Sequence, residues 1–233
     1  MNRLNAVFDL IPPDVKTVAD IGYDHGKLVT KLILTRPGIR VIGVELLPRY
    51  AEDFWRKNTF RQQFSAPERI DLRLGDGLTV LHRNEADCLV LAGMGETRIS
   101  QILKNSPEKL AGVKYLVLAP SHYFIKLREI LAELGFYAAE ERLIYERERY
   151  YLIVRAERGV DPAAGQLIWH FAPRLFEQRD PLLQGYLRHL KKILAVRMPF
   201  AESQHAAMKP FLQKLDTAIE IADSIKISME KSK

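Results

Sequence analysis

Two carboxylates and two glycines crowd into the stretch Asp20-Ile21-Gly22-Tyr23-Asp24-His25-Gly26. Thr17–Ile21 is apolar apart from its ends and reads as a buried strand, whereas Gly26–Thr35 has helical periodicity, with Leu28, Leu32 and Ile33 on one face. The unit is therefore strand, turn and helix. In an open α/β sheet the carboxyl end of such a strand faces the ligand crevice, and glycines there let a ligand approach the backbone. The spacing is not the dinucleotide fingerprint, because only Gly22 and Gly26 are present and no glycine opens the helix as a pyrophosphate site requires. Acidic side chains suit a cationic nucleoside better than a diphosphate. S-adenosylmethionine, which carries an ammonium and a sulfonium, is the expected ligand. Asp-x-Gly is also ordinary turn chemistry, so the reading depends on what stands at the other strand ends.

Three further signals occur at such ends. Glu45 follows the run Val41-Ile42-Gly43-Val44, where an acid can accept hydrogen bonds from both hydroxyls of a ribose. Gly75-Asp76-Gly77-Leu78 follows the third strand; Asp76 can take an adenine amino group while the glycines leave room for the ring, although Asp-Gly is also a routine turn. Ala92-Gly93-Met94-Gly95-Glu96 follows the fourth and offers a thin apolar wall, suited to an exposed methyl donor beside a flat acceptor. Glu96 opens a helix, where backbone amides satisfy a carboxylate, and a capping role is favoured over that of a catalytic base.

The elements that must position these residues follow from the apolar pattern. Strand-like runs recur at Thr17–Ile21, Ile39–Val44, Ile70–Leu74, Asp87–Ala92 and Tyr115–Ala119, with helices expected at Gly26–Thr35, Pro48–Phe64, Glu96–Lys104 and Tyr123–Leu134. This alternation specifies a parallel sheet covered on both faces. Phe136–Arg142 and Tyr150–Ala156, rich in aromatic and β-branched residues, read as an added hairpin joined by charged Glu146-Arg147-Glu148-Arg149. The fold class is α/β, with the layout of a Rossmann-like S-adenosylmethionine methyltransferase sheet. Gly159–Gly165 has no apolar period and marks a boundary between a methyltransferase domain at residues 1–158 and a helical domain at 159–233. In the latter, Leu183, Leu187, Leu190 and Leu194, then Met208, Leu212, Leu215, Ile219 and Ala222, suggest an antiparallel, coiled-coil-like hairpin broken at Met198-Pro199.

The 233 residues carry a formal charge of +6 and are 47% apolar, which allows a real core and mildly favours an anionic partner. Arg188-His189-Leu190-Lys191-Lys192 lies in a stretch free of acids from Pro181 to Ala201 and either tracks phosphates or forms a solvated helix face. Cys88, the sole cysteine, permits no internal disulfide and sits in an apolar run as packing. With no apolar leader and no run long enough to span a bilayer, the expectation is a cytoplasmic protein without membrane contact. It is expected to need no metal and to be a monomer.

Taken together, Asp20-Ile21-Gly22-Tyr23-Asp24-His25, Gly75-Asp76-Gly77-Leu78, Ala92-Gly93-Met94-Gly95, the pair Leu127-Arg128 and the helical tail resemble the bacterial tRNA (adenine-22-N1)-methyltransferases, the TrmK family. The likeness covers nearly the whole chain. It implies methyl transfer from S-adenosylmethionine to N1 of an adenine in tRNA, with the tail helping to hold the RNA. It further implies that Asp20, Gly22, Glu45, Asp76 and Gly93, with His25, Gly77 and Met94 beside them, bind the cofactor, and that Asp24 is the catalytic acid or base. The chain departs from the family pattern at Tyr23, at Leu28-Val29, at Glu96 and at Ala119-Pro120-Ser121, the last replacing Gln-Pro-Asn. These departures bear on the acceptor, so the alternatives are another RNA position, a small molecule, or a non-catalytic RNA-binding homologue.

Overall fold

The computed structural model describes residues 2–50, 67–122, 124–197 and 202–231, with the backbone alone at 197, 202–208 and 231. Five strands run parallel: β1 (Thr17–Ile21), β2 (Arg40–Glu45), β3 (Ile70–Leu74), β4 (Cys88–Ala92) and β5 (Tyr115–Ala119). A hairpin of β6 (Phe136–Glu146) and β7 (Arg149–Arg158) joins them through β7, antiparallel to β5, in the order β3-β2-β1-β4-β5-β7-β6. The order reverses between β1 and β4, and at that switch point the carboxyl ends of the strands open a crevice.

Successive strand residues point to opposite faces, which explains why these runs are apolar throughout. Val18, Val41, Val90, Val117 and Ile153 pack under α1 (Arg3–Leu10) and α2 (Lys27–Thr35). Their neighbours Ala19, Ile42, Leu89, Leu116 and Leu152 pack under α3 (Glu96–Asn105) and α4 (Lys126–Glu133). The C-terminal helices α5 (Pro173–Glu177), α6 (Leu183–Arg197) and α7 (Glu202–Lys231) share that second core, to which they give Leu175, Leu187, Leu190, Leu215 and Ala218. Ion pairs Arg188–Asp223 and Lys191–Asp216 connect α6 and α7 in antiparallel order. No helix among the described residues is long and apolar enough to cross a membrane.

Several boundaries differ from the sequence expectation, each for a local reason. The hairpin pairs as far as Glu146 and Arg149, closing with Arg147 and Glu148 at φ of 50° and 62°. That is a two-residue turn in the left-handed conformation usually supplied by Asn-Gly, a signal this sequence lacks. The helix expected from Tyr123 starts only at Lys126, because a side chain from another element caps it there. The expected Pro48–Phe64 helix is present at residues 48–50; its remainder, like Tyr123 and the Met198-Pro199 break, lies outside the described residues. Helix α1 was not foreseen, although Asn2 accepts a capping hydrogen bond from the Asn5 amide at 2.9 Å and Leu4, Val7 and Leu10 give it an apolar face.

The segment Gly159–Gly165 is anchored to the sheet. Asp161 is buried, pairs with Arg128 at 3.3 Å and Arg174 at 2.7 Å, and accepts from the Trp169 indole N–H at 3.0 Å. Arg128 also pairs with Glu141, whose other oxygen accepts from the Arg174 amide at 2.9 Å. Burial pushes the Glu141 carboxyl up and the two arginines oppose that shift. Two acids and two arginines thus join α4, β6 and α5 beneath the tail.

Candidate functional site

The turn after β1 is clamped to the end of β2. The amides of Gly22 and Tyr23 donate to the Val44 carbonyl at 2.7 and 3.4 Å, and the Gly26 amide closes the turn onto the Tyr23 carbonyl at 2.7 Å. Gly22, Asp24 and Gly26 all take positive φ, so the tight turn uses the glycines it was expected to need. Tyr23 is buried against Gly43 of β2, where any Cβ would come within 2.8 Å of its ring. A tyrosine at this position is thus accommodated by a glycine on the next strand.

A cleft of about 720 Å³ opens at this turn. It brings together Asp20, Gly22, Asp24, His25, Gly93 and Met94, six of the nine residues named from the sequence. Asp20 is 5% exposed, and among the described residues no hydrogen bond or cation offsets its burial; desolvation first, and the nearby Glu45 second, push its carboxyl up to about 7. A buried acid without a counter-charge on the wall of an open cleft is suited to a cationic ligand group. Asp24 differs: its carboxylate is half exposed, 3.6 Å from His25 Nε2. His25 in turn meets the Tyr50 ring edge-on at 5.8 Å.

Glu45, Asp76 and Gly77 do not line the cleft. Glu45 instead holds the loops: its carboxylate accepts from the Asp24 amide at 3.3 Å and from the Leu46 and Leu47 amides at 2.8 and 3.1 Å. A carboxylate has about four acceptor sites, so capacity for a ligand hydroxyl remains. Asp76 is paired with Arg98 at 2.5 Å, and a Cβ on Gly77 would press on Ile102 of α3 at 3.0 Å. That glycine permits helix packing as well as any approach of a ligand.

Gly93 and Met94 are held from β5. The Gly93 amide donates to the Ala119 carbonyl, the Ser121 amide to the Met94 carbonyl, and the Ser121 hydroxyl to the Gly93 carbonyl at 3.1 Å. A Cβ on Gly93 would meet nothing within 4 Å, so this backbone faces open space, while one on Gly22 would touch the Met94 methyl at 3.0 Å. Glu96 is a cap, as favoured from the sequence, but for a different helix. Its Oε2 accepts from the amides of Ile125 and Lys126 at 3.0 and 3.1 Å, at the start of α4. Ser121 and Glu96, two of the departures from the family pattern, therefore brace the Ala92–Glu96 wall.

The sequence reading missed the opposite wall, formed by Arg3, Leu4 and Val7 of α1 and by Arg147 and Tyr151 of the hairpin. The Arg3 guanidinium lies over the Tyr151 ring, 4.9 Å from its centre. Only the capping Asn2 and the apolar spacing of α1 could have pointed there. On the tail, Arg188 and Lys191 are partly neutralised by Asp223 and Asp216, so the basic segment is less of a free phosphate track than its sequence suggests. Among the described residues, no group of His, Cys, Asp and Glu is placed to hold a metal ion. A second groove of about 150 Å³, lined by Leu183, Ala222 and Met229, holds none of the strand-end residues.

The chain is 28% identical, over 98% of its length and 94% of the relative's, to the tRNA (adenine(22)-N(1))-methyltransferase of Bacillus subtilis (strain 168). The crystal structure of the B. subtilis m1A22 tRNA methyltransferase TrmK superimposes with a TM-score of 0.74 at 25% identity, covering 96% of this chain and 97% of that one. M. capricolum TrmK in complex with S-adenosyl-homocysteine gives a TM-score of 0.78 at 20% identity, covering 95% and 98%. The family model described as a methyltransferase domain matches residues 1–154, the span that holds β1 to β6 and every described residue lining the cleft. The chain belongs to the methyltransferase-domain family.

Proposed function

We propose that the protein transfers a methyl group from S-adenosylmethionine to N1 of an adenine in tRNA, at position 22, the activity named for its B. subtilis relative. The observation that carries this reading is the pairing of two unlike carboxylates across Gly22. Asp20 is buried and lacks a counter-charge among the described residues, whereas Asp24 is open to the cleft. The site fits the cofactor, because a cation is what Asp20 lacks among the described residues and because Gly93 leaves the backbone open beside apolar Met94.

When bound, S-adenosylmethionine supplies an electrophilic methyl group on a sulfonium. Asp20 would hold its ammonium, with Gly22, His25, Gly93 and Met94 around it. Glu45 would reach the ribose, and Asp76 and Gly77 the adenine, from beyond the cleft wall. Asp24 faces the acceptor; methylation at N1 leaves the base cationic, and Asp24 stabilises that charge or accepts a proton from the exocyclic amine. N1 lies on the pairing edge, so the nucleotide must be unpaired or extruded before it reaches Asp24. Residues 1–158 form the catalytic part and residues 159–233 help to hold the RNA, in a protein working in the cytoplasm. Alignment of the reactants and exclusion of water are the main work left to the protein.

The test is transfer of labelled methyl from the cofactor to bulk tRNA, with mapping of the modified base. Label at N1 of adenine 22 is expected. Label on another base would move the acceptor, and binding of cofactor without any transfer to tRNA would refute the reading.

A further inference from the structure

The turn between β6 and β7 separates two surfaces. Ile144 and Tyr151 form a cross-strand pair on the α1 side, and Tyr151 lines the cleft. Tyr145 and Tyr150, the next pair, lie on the other face. Tyr150 packs against Tyr186 and His189 of α6, with ring centres at 6.2 and 5.6 Å. Tyr145 packs against Tyr150 with ring centres 4.7 Å apart and planes tilted by 46°, yet is 51% exposed.

This docking is built into the helix. Gly185 lies within α6, where glycine costs roughly 0.5–1 kcal/mol relative to alanine. A Cβ at that position would overlap the Tyr150 hydroxyl and come within 3.1 Å of its ring. The glycine therefore lets the hairpin tip seat directly on the tail. Gly185, His189 and Lys192 recur at the spacing of one helix face, so the aromatic group continues into a basic side chain, exposed and without an ion pair among the described residues. At the other end, Arg147 at the turn lines the cleft.

We propose that Tyr145, braced by Tyr150, which is itself packed on His189, is a stacking platform for an unpaired nucleotide of the RNA substrate, on the path from α6 to the cleft. The proposal rests on the reading of the protein as a tRNA methyltransferase. An exposed ring backed by a second ring that is itself packed on the tail is what a base stacks on. Charge does not supply the affinity at this point, because Glu146 and Glu148 alternate with Arg147 and Arg149. The bases on either side, Arg147 and Lys192, are placed for the flanking phosphates. The site would thus secure a nucleotide near the target while the target base enters the cleft.

The test uses the full-length protein and bulk tRNA, comparing wild type with Tyr145→Leu, Tyr145→Phe and Tyr145→Trp. Direct tRNA binding, the KM and kcat for methyl transfer, and cofactor affinity are each measured. Tyr145→Leu should weaken tRNA binding and raise the tRNA KM roughly 5- to 150-fold, the range for loss of one base–aromatic stack. Its kcat at saturating tRNA and its cofactor affinity should stay within about twofold of wild type, and the aromatic variants should bind tRNA as wild type does. Unchanged tRNA binding in Tyr145→Leu would overturn the platform, as would a loss in Tyr145→Phe equal to that in Tyr145→Leu, since the hydroxyl and not the ring would then be the contact. A wild-type protein that binds tRNA but transfers no methyl to it would instead overturn the functional reading, while the binding comparison would still decide the platform.

Discussion

Replacing Asp20 by asparagine keeps the shape of the side chain and removes its titration. In the folded protein the Asp20 carboxyl is pushed from 3.8 to about 7, by burial first and by Glu45 second. At 1.36 kcal/mol per unit, a shift of about three units corresponds to about 4 kcal/mol. The folded state holds this proton more tightly than the unfolded state does. The stability it confers is therefore complete below pH 4 and is lost as the pH rises to about 7, above which an ionised, buried Asp20 is a constant penalty. Urea unfolding of the cofactor-free protein from pH 4.5 to 8 should show wild type losing several kcal/mol relative to Asp20→Asn across that window. Cofactor binding should run the other way, since the ammonium needs the ionised acid: wild-type affinity should rise about tenfold from pH 6 to 8, as the ionised fraction grows from about a tenth to about nine tenths. Asp20→Asn should bind roughly ten- to a hundredfold more weakly at pH 8, with no such rise. Parallel unfolding curves, together with equal pH dependence of cofactor binding in the two proteins, would refute the assignment of Asp20 as an uncompensated anion.

Asp24→Asn should leave cofactor affinity nearly intact and slow single-turnover methyl transfer to tRNA roughly 10²- to 10⁴-fold; a variant that melts lower but reacts at the wild-type rate would make Asp24 structural. Glu45→Ala removes the acceptor for the amides of Asp24, Leu46 and Leu47 and one of the two causes of the Asp20 shift. It should weaken cofactor binding in calorimetry and move the Asp20 window of pH-dependent stability downward. Arg128→Met leaves Glu141 and Asp161 buried with one cation fewer, and urea unfolding should show a loss of about 3–5 kcal/mol. A chain ending at Gly159 loses both Asp161 and Arg174 from this network and uncovers the apolar face under α5 to α7, so it should unfold at lower urea than the full chain.

Periodicity and turn chemistry alone located β1, β3 and β5 to the residue and carried the sheet and the Asp20–His25 turn, because those features depend on neighbours in the chain. Glycine types likewise marked the positive-φ positions Gly22 and Gly93. What each polar side chain does was legible only in part. Glu96 stands where a helix-capping acid should, yet it caps α4 across the wall, because β4 and β5 are adjacent in the sheet and their loops meet. Asp76 and Gly77 follow a strand end as expected, but Arg98 and Ile102 of α3 claim them, and nothing in their own turn encodes that contact. The second wall of the cleft, from α1 and the hairpin, joins residues near 4 and near 150 that no local pattern relates. The seat of Tyr150 on Gly185 is of the same kind. Sequence by itself determined the elements and their chemical inventory, which arise from backbone preference and the two periods of burial. Tertiary structure decided which carboxylates are left without partners, since desolvation and pairing are set by elements distant in the chain.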